Sequence, residues 1–412
     1  MTFSYLNPKL CATIATGIAL IATSQAQARN AEPIDYTTAV LRSERILDWG
    51  ERPDWSADGK RIAFTQSDTQ DTFAFEIDLE NGEVRCITCR FGMAGLVTRV
   101  YYLPDSSYLF LAPNGLGSAN TSSKSSIESD AMKQELYWMP AGGASSLQPL
   151  GAPAFGEIAI KRTRNADGSI TLAWGDISSG VSKVETGRLQ HDGSAARIID
   201  RRTVFNSADL PSGSPVTMAE TYNFVRDGRD VTFYTILADT KALNGEMMRL
   251  DLETGSLAPL YSDPHHNETH LLADERYGLE ESNRASDPSG FWRGVSSHGA
   301  GAIAAAAHYR KTPPAPDKQA AREYSPHGDL KGFKRPFDLW MIRIDGSQAP
   351  RRLTFGGDFG ADVHQSVPSP DGTRVAYAVN PRSSTQWADK GGLYVAELVP
   401  PGTEGDDARP RT

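Results

Sequence analysis

One hairpin sentence, repeated along the chain, limits what this polypeptide can fold into. Its first full copy reads Arg52-Pro-Asp-Trp-Ser-Ala-Asp-Gly-Lys-Arg-Ile-Ala-Phe-Thr65. Alternating residues flank an Asp-Gly pair, which supplies the positive φ angles of a tight hairpin. A second hairpin follows as Phe75-Glu-Ile-Asp-Leu-Glu-Asn-Gly-Glu-Val-Arg-Cys-Ile-Thr88, turning at Asn-Gly. The sentence returns near the C-terminus as Val367-Pro-Ser-Pro-Asp-Gly-Thr-Arg-Val-Ala-Tyr-Ala378, with Gly392-Leu-Tyr-Val-Ala-Glu-Leu398 behind it. Weaker copies turn at Asp105, Asp167, Asp227 and Asp274. Their outer strands include Glu135–Met139, Met248–Leu252 and Phe337–Ile344.

The six turn aspartates, 58, 105, 167, 227, 274 and 371, are 47, 62, 60, 47 and 97 residues apart. Four short antiparallel strands in each interval are the pattern of an all-β propeller. The expected fold is a six-bladed β-propeller of four-stranded antiparallel blades over 49–400, with seven blades as the alternative. The long last interval holds an insertion at about 282–335, rich in Gly, Ala, Pro and His. Residues 29–48 offer a strand that would close the ring on the last blade, and 401–412 form a polar tail.

The first 28 residues read as an export signal. Lys9 precedes an apolar run from Leu10 to Ala22, and Ala26-Gln27-Ala28 is a small-x-small cleavage site. The run is too short to span a bilayer as a helix. No later segment is long and apolar enough, so a soluble periplasmic or secreted protein is expected. In such a compartment Cys86-Ile-Thr-Cys89 reads as a local disulfide or two quiet thiols. With 42 Lys and Arg against 51 Asp and Glu, the net charge is −9, which argues against a nucleic-acid partner.

The sentence Pro-x-Trp-Ser-x-Asp-Gly-Lys-x-Ile-Ala-Phe resembles the repeat of TolB-like propellers, and so does Asp338–Phe355. The resemblance implies the propeller fold. Families sharing it include translocation accessory proteins, prolyl-oligopeptidase-like peptidases and polysaccharide lyases, so the fold does not select a function. No G-x-S-x-G elbow or further α/β domain follows, which removes a serine peptidase of that type.

In a propeller, alternate side chains of each innermost strand face the central channel. Counting back from the turn aspartates, the third residues are mostly large and apolar (Trp55, Tyr102, Arg164, Phe224, Leu271, Pro368) and should pack between blades. The opposite parity should face the channel. It comprises Asp54, Tyr101, Thr163, Asn223, His270 and Val367, then Arg52, Arg99, Lys161, Thr221, Glu268 and Gln365. Three cations, Arg52, Arg99 and Lys161, then stand on consecutive blades. They either attract an anionic ligand (a small molecule, glycan or peptide) or pair with neighbouring side chains. A periplasmic or extracellular partner protein is the other candidate for this mouth.

Seven of the eight histidines fall between 265 and 364. His266, Glu268 and His270 share a strand face, which suits a divalent metal, with His364 as a further donor. The resemblance to oligogalacturonate lyases implies an alternative function. This is a metal-assisted lyase or hydrolase on an acidic saccharide, with His270 or Tyr101 as base. In an ungapped comparison with that family's late blades, Glu268 and Gln365 take the places of histidines.

Overall fold

The computed structural model describes residues 34–66, 72–114, 134–144, 146–209, 216–237, 245–261, 268–286, 337–381 and 389–402. The expected export signal (1–28), His266 and most of the expected insertion (287–336) therefore lie outside the described residues. Within 35–412 the chain is one unit built from strands.

Strand β1 (Val40–Leu47) precedes a four-stranded sheet of β2 (Glu51–Trp55), β3 (Arg61–Thr65), β4 (Ala74–Asp78) and β5 (Val84–Cys86). A seven-stranded sheet follows. It is formed in order by β6 (Arg99–Tyr102), β7 (Tyr108–Pro113), β8 (Gln134–Met139), β9 (Gln148–Ile160), β10 (Ile170–Asp176), β11 (Lys183–His191) and β12 (Ala196–Asn206). Two more four-stranded sheets come next. One is β13 (Val216–Val225), β14 (Asp230–Leu237), β15 (Gly245–Asp251) and β16 (Leu257–Tyr261). The other is β17 (Glu268–Leu271), β18 (Tyr277–Ser282), β19 (Asp338–Arg343) and β20 (Arg351–Arg352). The last sheet joins β21 (Ala361–Pro368), β22 (Arg374–Pro381) and β23 (Gly392–Val399) to β1, which pairs antiparallel with β23 from Val40–Val399 to Leu47–Leu393. The described residues thus form a propeller-like arrangement with four separate four-stranded sheets.

The seven-stranded sheet is continuous because β9 serves twice. Its first half pairs with β8, Gln148 opposite Trp138, and its second half with β10, Ile160 opposite Leu172. Gly151 and Gly156, both at positive φ, let the strand change direction between those partners.

The turn aspartates recur for a local reason. Asp58 accepts from Ser56 Oγ at 2.6 Å and from the Lys60 N–H at 3.1 Å, while Gly59 N–H closes onto the Ser56 carbonyl. Asp371 does the same with Ser369 and Thr373, and Asp105 and Asp167 hold Ser107 and Ser169. A short carboxylate that satisfies the turn's own N–H groups makes each hairpin self-capping.

Large side chains fill the spaces between sheets. Trp55, Ile62 and Phe64 pack with Ala376 and Leu393 of the last sheet, and Tyr102, Tyr108 and Phe110 pack with Ala63 and Ala74 of the first. Removing one such aromatic to alanine costs about 3–5 kcal/mol. Trp55 also donates Nε1–H to the Val367 carbonyl at 2.9 Å, and the Arg374 guanidinium lies 4.7 Å over its ring. Arg164 departs from the expected packing. Lys161 N–H bonds Thr171 and Asn165 N–H bonds Ser169, so three residues on one side face one on the other, and Arg164 is turned out toward Asp105. Cys86 and Cys89 are joined in a disulfide at the end of β5.

Candidate functional site

The first strands of the sheet units succeed one another in space. Strand β2 packs against β6 and β21, β9 against β13, β13 against β17, and β17 against β21. Hydrogen bonds from Arg99 and Tyr101 to Glu157 join β6 to β9. These strands enclose a cavity of about 580 Å³, within the range typical of small-molecule sites. Its lining includes Arg52, Arg99, Tyr101, Lys161, Glu268, His270, His364 and Gln365. The sequence-derived candidates among the described residues are therefore brought together.

Thr221 is not among them. Strand β13 slips register between Thr221 and Asn223, which turns Glu220 and Tyr222 to the cavity and Thr221 to the back. There Thr221 Oγ1 accepts the Ala159 N–H at 3.0 Å and reaches the Glu157 and Ala173 carbonyls. Similar irregularities interrupt β2 between Glu51 and Asp54 and β21 between His364 and Val367. Inside them Arg52 (φ 54°) and Gln365 (φ 57°) adopt the left-handed backbone. For a residue with a Cβ this costs about 1–2 kcal/mol, and bulges of this kind re-aim side chains at sites. Gln365 then accepts the Arg52 N–H through Oε1 at 2.8 Å.

Glu157, which a count from Asp167 misses, organises one wall. Its Oε1 accepts from Arg99 Nε at 2.8 Å and Arg52 Nη1 at 3.1 Å, and its Oε2 accepts the Tyr101 hydroxyl at 2.6 Å. Burial would raise this carboxyl, but Arg99 and Arg52 overcome it and hold it down at about 2. Tyr101 is held well above the usual phenol range, mainly by burial, and stays a neutral donor. Two further cations are engaged at the mouth. Arg162 forms a two-bond clamp on Asp54 at 2.6 and 3.2 Å, and Asp54 also accepts the Tyr102 N–H. Lys161 reaches the exposed Asp227 at 3.1 Å.

The opposite wall is acidic. Glu220 of β13 is pushed up to about 7, first by burial and then by the Glu268 and Glu157 carboxylates. Its stem occupies space that only glycine leaves open: a Cβ on Gly156 would lie 2.5 Å from Glu220 Cγ. Glu268 of β17 stands directly opposite Glu281 of β18, and Glu281 Oε1 accepts the Ser366 N–H at 2.6 Å. His270 stands edge-on to Tyr222, ring centroids 5.0 Å apart, and burial lowers its pKa so that the imidazole is neutral at pH 7. His364 Nε2 lies 2.8 Å from Asn380 Nδ2, which in turn bonds Glu51. Among the described residues no three His, Cys, Asp or Glu side chains are grouped to hold a metal ion. Glu268, His270 and His364 thus share the cavity without forming a metal centre, and His266 lies outside the described residues.

No family model and no curated protein matches the chain. Among solved structures it is similar to the putative TolB from Agrobacterium tumefaciens, at 13% identity and TM-score 0.32, covering 84% of this chain and 78% of that one. It is similar to TolB from Acinetobacter baumannii at 16% identity and TM-score 0.34, covering 57% and 53%. An oligogalacturonate lyase in complex with manganese is similar at 11% identity and TM-score 0.41, covering 84% and 76%. The propeller-like arrangement rests on this chain's own strand order and contacts. No helix among the described residues is long and apolar enough to cross a membrane.

Proposed function

We propose that this chain is an exported six-unit propeller whose axial cavity binds a small ligand carrying an acidic group, without transforming it. The seven-stranded sheet counts as two units sharing β9, which makes six first strands around the cavity. Export is supported by the charged, apolar and small-residue succession at the N-terminus. The observation that carries the binding function is the pair Arg52 and Arg99, held side by side at the cavity by one carboxylate, Glu157. A guanidinium has five N–H donors. Glu157 and the Thr98 carbonyl engage two of those of Arg99, so the arginine serves both Glu157 and an incoming anion.

The ligand is an acidic glycan, a small carboxylate, a peptide or a protein segment inserted into the mouth. Calorimetric titration with digalacturonate, glucuronate, trialanine and inorganic phosphate tests this. At least one should bind to the wild type and lose at least tenfold in affinity in Arg99→Gln, with the melting curve taken as a folding control. Absence of binding across the panel, or binding indifferent to Arg99→Gln in a folded protein, removes the proposal.

One observation favours a second, enzymatic function: a carboxyl with a pKa near 7, Glu220, shares a cavity with neutral His270 and with Tyr101. Lyase action on an acidic saccharide would then use these groups for proton transfer. Formation of unsaturated uronates, read at 235 nm and lost in His270→Ala, would support it.

A further inference from the structure

We infer that an acidic ligand enters this cavity together with a proton, its acidic group held between the Arg99 guanidinium and the protonated carboxyl of Glu220. The inference rests on the cavity binding such a ligand and adds a pH control to that binding. Glu220 stands where the two walls meet. Its strand, β13, packs against β9, which carries Glu157. The register slip between Thr221 and Asn223 aims the Glu220 side chain into the cavity. A Cβ on Gly156 would lie 2.5 Å from Glu220 Cγ and 2.8 Å from its Oε1, so the carboxyl rests on the β9 backbone one residue before Glu157.

Two carboxyls on adjacent strands thus compete for one basic pair, and the hydrogen bonds decide which is ionised. Glu157 accepts N–H groups from Arg99 and Arg52 and the Tyr101 hydroxyl. Glu220 accepts the Tyr222 hydroxyl at a long 3.5 Å. Close carboxylates resist joint ionisation, so the proton stays on the less firmly held of the two. Arg52, Arg99 and Glu157 together carry one net positive charge. Ionised Glu220 cancels it and repels an anion at Arg99, whereas protonated Glu220 preserves it and offers an O–H donor. Glu220 and Arg99 each lie in the other's field, so an anion on Arg99 makes ionisation of Glu220 harder still. The folded value of about 7 sets this change of charge near neutral pH. The other titratable groups around Glu220 are Tyr222 on its own strand, Tyr234 opposite it on β14, and Glu268 and His270 on β17. Glu281 on β18, Tyr101 on β6 and His364 on β21 complete the set. Strands β10 and β11 meet the reverse, Thr221 face of β13 through Ala173 and Val184.

Calorimetry with digalacturonate, glucuronate, N-acetyl-trialanine and sulfate, whose charges are constant from pH 6.5 to 8.5, tests this. A probe that binds the wild type should lose about tenfold or more in affinity between those two pH values. In buffers of different ionisation enthalpy, binding at pH 8.5 should take up about one proton. Glu220→Gln, an amide donor at every pH, should show neither the slope nor the uptake, and at pH 8.5 it should bind about tenfold tighter than wild type. Melting curves establish that the variant is folded. If it is not, Glu220→Ala takes its place, with the same loss of slope expected. A flat wild-type profile, binding without proton uptake, or a slope that survives in the Glu220 variant overturns the inference. Binding that is still lost in Arg99→Gln then leaves the proposed function standing. Silence of all four probes at pH 6.5 overturns the inference, and silence of trialanine and inorganic phosphate as well removes the binding function with it.

Discussion

Arg99 Nε donates to Glu157 Oε1 at 2.8 Å, tying the first strand of one sheet unit to the first strand of the next at the edge of the cavity. Both side chains are largely buried, at 13% and 20% exposure. Replacing Glu157 by Gln leaves Arg52 and Arg99 together without their shared carboxylate. The expected loss is about 2 kcal/mol, less than for a fully buried pair because some solvent reaches it. The sign with pH follows from the direction of the shift. Glu157 in the folded chain lies at about 2, below its ordinary 4.5. Its contribution is complete above pH 4.5 and declines as pH falls toward 2. Urea denaturation at pH 7 and pH 3 should therefore show a smaller Glu157→Gln effect at the lower pH.

Glu220 behaves in the opposite sense. Its folded value of about 7 lies above its ordinary 4.5, so between those values the folded chain binds more protons than the unfolded one. Stability should fall as pH rises through that window. Glu220→Gln should stabilise the empty protein by about 1–2 kcal/mol at pH 8 and flatten its pH profile. A variant less stable than wild type at pH 8 would contradict the repulsion among Glu220, Glu268 and Glu157.

Gly156 sits at φ 72°, and the Cβ of an alanine there would come within 2.5 Å of Glu220 Cγ. Gly156→Ala should cost about 2–3 kcal/mol, combining the left-handed backbone penalty with displacement of Glu220. In the background of Glu220→Ala the steric part should disappear, which a double-mutant cycle of melting free energies would reveal.

Thr221, fully buried, accepts the Ala159 N–H between two sheets. Thr221→Val keeps the shape and strands that N–H, for an expected loss of about 1–3 kcal/mol. Thr221→Ser keeps the hydroxyl and should lose less. A loss confined to Thr221→Ser, with Thr221→Val as stable as wild type, would show that the methyl group, not the hydrogen bond, matters here.

Much of the architecture was legible in the repeat, because Asp58, Asp105, Asp167 and Asp371 each satisfy their own turn through groups within two residues. Arg52, Arg99, Tyr101, Glu268, His270 and Gln365 were reachable by alternation along single strands. Glu157 was missed because the hairpin before Asp167 carries extra residues, and Glu220 and Tyr222 because a bulge in β13 reverses the alternation. The segment Glu220-Thr-Tyr-Asn carried a signal at the other parity, a charged residue two positions from a tyrosine on a strand. No local rule announced the register slip that selects it.

The amino-acid sequence by itself determined the repeated hairpins, their self-capping turns and the polar character of the strands nearest the axis, since each depends on interactions a few residues long. Only the tertiary structure decided which charges meet. Glu157 faces Arg52 and Arg99 from 105 and 58 residues away. Glu220, Glu268 and Glu281 converge from β13, β17 and β18. Those pairings depend on bulges and sheet succession, and they turn a row of expected cations into a cavity with one basic and one acidic wall.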